Sequence, residues 1–359
     1  MRLVELRRRE PAAEGAAMHE GGGALVDRLA RRVRYLRVSL TDRCNLRCTY
    51  CMPEEGIDHV ARSEVLTLEE LVRLVEAFVR WGIERVRLTG GEPTLRRNLP
   101  WLVEQLASMR THEGRPLEVV MTTNGKRMHE LAAPLRAAGL QAVTVSLDSL
   151  VPERYASITR RGRLERCLAG IAAAQAAGFA PLKLNTVAVQ GFNHDELAAL
   201  CRFAWAHEAT PRFIELMPMS GGRLFVPGEL MPAAAIREAI ARELGPLEPD
   251  AGEGVRGQGP ARYYRVAAGP HAGRRLGTIA AMTENFCASC NRLRVSATGQ
   301  LHACLARDDA GDLRGALRSD DPARLEQVVR AALAVKRDAH GFELDGRGGP
   351  DKAMISIGG

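Results

Sequence analysis

The stretch TDRCNLRCTYCMP places thiols at Cys44, Cys48 and Cys51, with no fourth ligand close behind. Zinc takes four protein ligands in a structural site, or three plus water in a catalytic one, so three thiolates alone suit it poorly. A [4Fe–4S] cluster has four iron corners held by cysteine thiolates. Three cysteines would leave one iron open to a further ligand, and Cys-x-x-x-Cys-x-x-Cys is a loop able to wrap such a cluster. A second group follows in FCASCNRLRVSATGQLHACL: Cys287, Cys290 and Cys304. Its favoured reading is a second [4Fe–4S] cluster, again with an open iron. His302 lies two residues from Cys304, on the same face of a strand. A Cys-Cys-His-Cys zinc site therefore stands as the alternative. Cys167 and Cys201 fall in helical patterns and read as buried structural thiols.

The 359 residues carry a net charge of +7, with 46 Arg against 4 Lys. Arginine-rich composition is one reading; the other is an anionic substrate, because the planar guanidinium fork suits phosphate. Lys183, in PLKLNTV, stands out as a lysine inside a strand-like stretch. Eight cysteines with no secretory signal point to metal ligation rather than disulfides. No apolar run reaches the roughly 18 residues of a membrane span, so a cytoplasmic protein with no membrane partner is expected. Aromatic residues make up 4%. They leave few stacking platforms for single-stranded nucleic acid, and no nucleic-acid partner is expected. A zinc-binding basic nucleic-acid module remains the rival from a different class; metal analysis separates the two.

The elements that must position these residues alternate. Strands are expected at 36–40, 86–89, 118–123, 142–147, 182–187 and 212–217, with helices near 68–81, 98–109, 129–138, 165–177 and 194–206. Thr67 and Glu70 have capping-box spacing. Six strand–helix units predict a parallel sheet with right-handed crossovers, an α/β fold of the partial (βα)6 TIM-like barrel kind. The first cysteine loop follows the first strand, at the mouth where barrels keep their chemistry. Residues 1–30 read as a flexible extension, 31–245 as the barrel, 246–345 as a C-terminal domain with the second cluster, and 346–359 as a flexible Gly-Gly tail. A hairpin is expected in NRLRVSATGQLHACL and a helix near 322–336.

The three-cysteine loop resembles that of the radical S-adenosylmethionine superfamily. RYLRVSLTDRCNLRCTYCMP, RLTGGEPTLRR, TTNG, VSLDSL, FIELMP and CNRLRVSATGQLHACL, in that order, resemble more narrowly the GTP 3′,8-cyclases of molybdenum cofactor biosynthesis, over about residues 27–359. The resemblance implies two [4Fe–4S] clusters and S-adenosyl-L-methionine as cofactors. The cluster on Cys44, Cys48 and Cys51 would cleave the cofactor to a 5′-deoxyadenosyl radical. The second, on Cys287, Cys290 and Cys304, would bind the guanine base. It implies cofactor contacts at Tyr50, Gly91, Ser146 and Met217, and GTP contacts at Arg37, Arg87, Thr122, Lys183, Arg292 and Arg294. Gly358 and Gly359 would enter the site.

The implied reaction converts GTP to (8S)-3′,8-cyclo-7,8-dihydroguanosine 5′-triphosphate, which passes to a cyclic pyranopterin monophosphate synthase. An electron donor is required, and a homodimer is among the arrangements left open. Within the superfamily, a peptide maturase with an auxiliary cluster is the rival reading. Turnover of GTP without peptide distinguishes them.

Overall fold

The computed structural model describes residues 23–250, 259–319 and 321–357. Strand and helix alternate as expected. The order is β1 (Tyr35–Ser39), α1 (Leu68–Arg80), β2 (Arg85–Thr89), α2 (Leu99–Ala107), β3 (Glu118–Thr123), α3 (Met128–Ala137) and β4 (Ala142–Ser146), then α4 (Pro152–Thr159), α5 (Leu164–Ala176), β5 (Leu182–Ala188), α6 (Leu197–Ala206) and β6 (Ala209–Glu215). β1 to β6 lie side by side in chain order, all parallel. The strands are rich in Val, Leu and Thr and buried on both faces, as covered parallel sheets are. α1 begins at the expected capping box: Glu70 N–H donates to Thr67 Oγ1 at 3.1 Å, and Thr67 N–H to Glu70 Oε2 at 2.8 Å. Leu71, Leu74, Val75 and Phe78 of α1 are buried in the one large apolar core beneath the sheet.

The remaining elements are α7 (Ala233–Leu244), β7 (Leu247–Pro249), β8 (Arg262–Val266), β9 (Arg275–Ile279), β10 (Arg292–Val295), β11 (Gln300–His302), β12 (Gly311–Asp312), α8 (Leu313–Arg318) and α9 (Pro322–Ala334). Their strands extend the six-stranded sheet at both flanks. β9 pairs with β6, and β10 pairs with β1, both in parallel. β10 and β11 form the expected hairpin. Among the described residues this makes one sheet of twelve strands, ordered β12-β11-β10-β1-β2-β3-β4-β5-β6-β9-β8-β7. No helix among the described residues is long and apolar enough to cross a membrane.

Two expectations about the ends change. Residues 1–22 lie outside the described residues, but 23–30, read as part of a flexible extension, are packed. Leu25 is fully buried, its N–H donates to Trp81 O at 3.1 Å, and its carbonyl accepts from Val33 N–H at 2.8 Å. The tail likewise is built in: Met354–Ile357 forms a 3-10 turn with Ile355 and Ile357 buried. Apolar side chains at these positions give both segments surface to bury. Gly358 and Gly359 lie outside the described residues.

Candidate active site

The first cysteine loop leaves the C-terminal end of β1 and closes on itself. Cys51 N–H and Met52 N–H both donate to Cys48 O, at 2.9 and 3.2 Å. Two elements hold it. α4 accepts from it through Thr159 O (Arg47 N–H, 3.0 Å) and Ile158 O (Thr49 N–H, 2.9 Å). The Gly-Gly-Glu-Pro loop after β2 donates from Gly91 to Thr41 O at 2.7 Å and from Glu92 to Arg43 O at 2.8 Å. A Cβ on Gly91 would stand 2.2 Å from Arg43 O and 2.8 Å from Ile355 Cδ1. The glycine is needed because the cysteine loop and the tail fill that space. Glu92 is buried and accepts from Thr94 N–H (3.1 Å), Thr123 Oγ1 (2.6 Å) and Asn124 N–H (2.8 Å), tying β2 to β3. Burial holds its carboxyl above the usual range against the pull of those donors.

Cys44, Cys48 and Cys51 are free thiols that line one open cavity. Burial pushes Cys44 up to about 11, Cys51 up to about 12, and Cys48 well above an ordinary thiol. Iron must therefore displace protons as it binds. Among the described residues no three Cys, His, Asp or Glu converge as on a single ion. A four-iron cluster is larger, and its ligands stand further apart. Three thiols on one loop, facing one cavity and free of disulfides, fit such a cluster with one open corner.

The four residues expected at the cofactor end, Tyr50, Gly91, Ser146 and Met217, line this cavity. Tyr50 donates its hydroxyl to Asp148 Oδ2 at 2.8 Å, and Asp148 also accepts from Val187 N–H at 2.9 Å. Burial still raises the Asp148 carboxyl to about 6. Met217, like Tyr50, packs against Leu216, Phe225 and Met282.

Arg37, Arg87, Thr122, Arg292 and Arg294 line the same cavity. Arg294, Arg37 and Arg87 form a row: Arg37 is in register with Arg294 of β10 on one side and with Arg87 of β2 on the other. Arg87 donates to Tyr35, to Thr122 Oγ1 at 2.9 Å and to Thr144 Oγ1 at 3.1 Å. Burial and then the Arg294 charge hold Arg37 well below the usual guanidinium range. Burial and Arg292 lower Arg294 to about 10. Burial raises the Tyr35 phenol, but Arg87, Arg37 and Arg85 outweigh it and keep the group below its ordinary value. Lys183 is buried but does not line the cavity. Burial, then Arg212 and Arg87, press it down to about 7.

Sequence reasoning missed Arg212 and Asn185, which also line the cavity at one register position of β6 and β5. Arg212 Nε and Asn185 Oδ1 are buried with no hydrogen-bond partner among the described residues. Buried polar atoms of this kind call for a ligand or water. Arg212 sits in a stretch already read as a strand, but its register with Asn185, which brings both to the cavity, has no local signal in the sequence.

The second cysteine group borders this space without lining it. Phe286, Arg292 and Leu305, beside the three cysteines in sequence, are on the cavity wall; Cys304 opens onto a separate pocket with Lys336 and Arg337. β10 runs parallel to β1, with Arg292 opposite Tyr35. Cys290 therefore precedes its strand, while Cys44–Cys51 follow theirs. One five-residue strand, roughly 17 Å, separates the two levels, and the arginine row lies between. Burial raises the Cys290 thiol, yet Arg292 and Lys336 outweigh it and bring it down to about 6. Burial raises Cys287. His302, the rival zinc ligand, is buried with Nδ1 3.1 Å from Asp309 O, and burial lowers it to about 4.

Residues 38–204 match the radical SAM superfamily, and residues 209–342 match molybdenum cofactor synthesis C. The chain is 41% identical over 352 residues to a GTP 3′,8-cyclase of Streptomyces coelicolor, covering 96% of this chain and 99% of that one. It is 42% identical over 340 residues to a GTP 3′,8-cyclase of Geobacter sulfurreducens, covering 93% and 99%. Among solved structures, Streptococcus suis SuiB bound to precursor peptide SuiA is similar at 16% identity and a TM-score of 0.49, over 58% of this chain and 44% of that one. With this identity sustained over nearly the full length, and with the three-thiol loop at the mouth of a parallel α/β sheet, this chain belongs to the GTP 3′,8-cyclase family of radical SAM enzymes.

Proposed function

We propose that the chain closes a ring within GTP by joining the ribose 3′ carbon to carbon 8 of guanine, the entry step of molybdenum cofactor biosynthesis. The observation that carries this reading is one cavity with three thiols at its mouth and the register row Arg294–Arg37–Arg87 deeper in. Three buried guanidinium groups side by side repel one another, and a bound anion relieves that repulsion. A triphosphate answers that need through charge-assisted hydrogen bonds.

Cys44, Cys48 and Cys51 would hold the first cluster, which would supply the electron for reductive cleavage of S-adenosylmethionine. The chain does the rest. Tyr50, Gly91, Ser146 and Met217 seat the cofactor. Arg37, Arg87, Thr122, Arg292 and Arg294, joined by Arg212, grip the nucleotide, and Lys183, behind the wall they form, adds its charge from a distance. Cys287, Cys290 and Cys304 hold a second cluster at the guanine end. Residues 31–245 thus carry the cofactor contacts and most of the nucleotide contacts, residues 246–345 the second cysteine group, and Gly358 and Gly359 would enter the site. Fixing both partners in one orientation is worth roughly 7–11 kcal/mol of barrier in favourable cases. The product would feed a cyclic pyranopterin monophosphate synthase.

The test is an anaerobic reaction with GTP deuterated at the 3′ carbon and no peptide present. Deuterium is expected in 5′-deoxyadenosine, alongside a cyclised nucleotide. Cleavage of the cofactor without deuterium transfer, or a requirement for peptide, would overturn the reading.

A further inference from the structure

Lysine is rare in this chain, and Lys336 occupies a place that suits an ammonium better than a guanidinium. It follows α9 and is 3% exposed. Its Nζ lies 3.6 Å from Cys290 Sγ, 2.9 Å from Arg292 O and 2.5 Å from Ala303 O. Residue 292 lies just beyond Cys290 and residue 303 just before Cys304, so one ammonium ties both arms of the β10–β11 hairpin at its cysteines. Three donors on one atom match three converging acceptors; the flat fork of arginine would spread them. Burying the charge is tolerable because every donor is used.

A second cation braces the third cysteine differently. Arg31 donates to Cys287 O at 2.7 Å, to Arg337 O at 2.8 Å and to Asp27 Oδ2 at 2.6 Å. It touches backbone only at the cysteine, and the Asp27 carboxylate balances its charge. Lys336 alone of the two reaches sulfur. Arg292 also approaches Cys290 Sγ, with Nη2 at 3.8 Å. Arg292 lines the nucleotide cavity, whereas Lys336 does not.

We propose that Lys336 is a positioning residue that sets the electron affinity of the cluster carried by Cys287, Cys290 and Cys304. This rests on the second cluster of the preceding section. Hydrogen bonds to cluster sulfurs and nearby positive charge stabilise added electron density. An ammonium on Cys290 Sγ therefore favours the reduced cluster.

The test uses the full chain, reconstituted anaerobically, as wild type, Lys336→Met, Lys336→Gln and Arg31→Met. Iron and sulfide are counted first. Wild type should hold about eight irons per chain; about four would sink the second cluster and this inference with it. A dithionite titration with redox mediators, followed by EPR, then reads both couples, and added S-adenosylmethionine marks the first. In Lys336→Met the reduced-to-oxidised ratio of the second couple should fall at least tenfold at fixed potential, about 59 mV for one electron. Lys336→Gln keeps a neutral donor and should shift less, and it carries the test should the Met variant fail to fold. Arg31→Met should lose iron from the second site without moving the potential of the clusters that remain. With eight irons retained, an unmoved second couple in both lysine variants would overturn the proposal. So would loss of the second cluster from Lys336→Gln, which would assign the lysine to assembly alone.

Discussion

Arg37 and Arg294 stand opposite each other on neighbouring parallel strands, at one register, both on the wall of the cavity that the cysteine loop crowns. Like charges directly opposite destabilise a sheet, and burial adds to the cost. Replacing Arg294 with Met should therefore raise the melting temperature of the nucleotide-free protein by a few degrees. The same change should weaken GTP binding roughly 10- to 100-fold, the loss of a hydrogen bond to a charged group. Thermal unfolding and titration calorimetry measure the two. A less stable variant with unchanged GTP affinity would contradict the assignment.

Lys183 gives a proton signature. Its folded value of about 7 lies below its ordinary 10.5. Between those values the unfolded chain binds more protons than the native one, so stability should rise with pH across that window and be flat below it. At pH 8 the amine is mostly neutral. An arriving triphosphate should raise its proton affinity and draw in up to one proton. Calorimetry at pH 8 in buffers of different ionisation enthalpy should show that uptake, and Lys183→Met should abolish it. Buffer-independent heats in the unaltered protein would count against Lys183 as a partner of the nucleotide.

Gly91 tests how the first cluster site is assembled. In Gly91→Ala the new methyl meets backbone at 2.2 Å, which cannot yield as a flexible side chain would. The Gly-Gly-Glu-Pro loop should lift from the cysteine loop. Iron per chain should drop by about half, with the second cluster retained. Iron and sulfide analysis decides it, and full loading would show that the contact is dispensable.

The two cysteine groups should fail differently. Cys44→Ala should abolish cleavage of S-adenosylmethionine. Cys290→Ala should keep some uncoupled cleavage, measured as 5′-deoxyadenosine, and lose GTP conversion. Normal GTP conversion by the Cys290 variant would reject a second cluster in substrate binding.

Much of this architecture is legible in the sequence because parallel strands and their helices carry strong local signals. β1 to β6 and the helices between them announce themselves by apolar runs and helical periodicity. α4 escaped that reading. Eight residues give little helix stability alone; it stands because Tyr155, Ile158 and Thr159 are buried and the carbonyls of Ile158 and Thr159 accept from the cysteine loop. The pairing of β10 with β1 is invisible locally, since it joins residues more than 250 apart. The two cysteine groups stand out by their spacing alone. Arg212 and Asn185 do not: no motif surrounds them, and only strand register brings them to the cavity wall. Glu92 and Asp148 lay inside quoted motifs, yet their jobs, tying β2 to β3 and receiving Tyr50, exist only in three dimensions.

β9 and β10 flank the six-stranded core on its two sides. Severing the chain near residue 245 would consequently strip both borders at once and leave two rows of bare amides and carbonyls, an invitation to self-association. The halves that two family descriptions divide are thus not detachable parts: the later one completes the earlier one's hydrogen bonding, and a truncated product should precipitate rather than survive as a smaller enzyme.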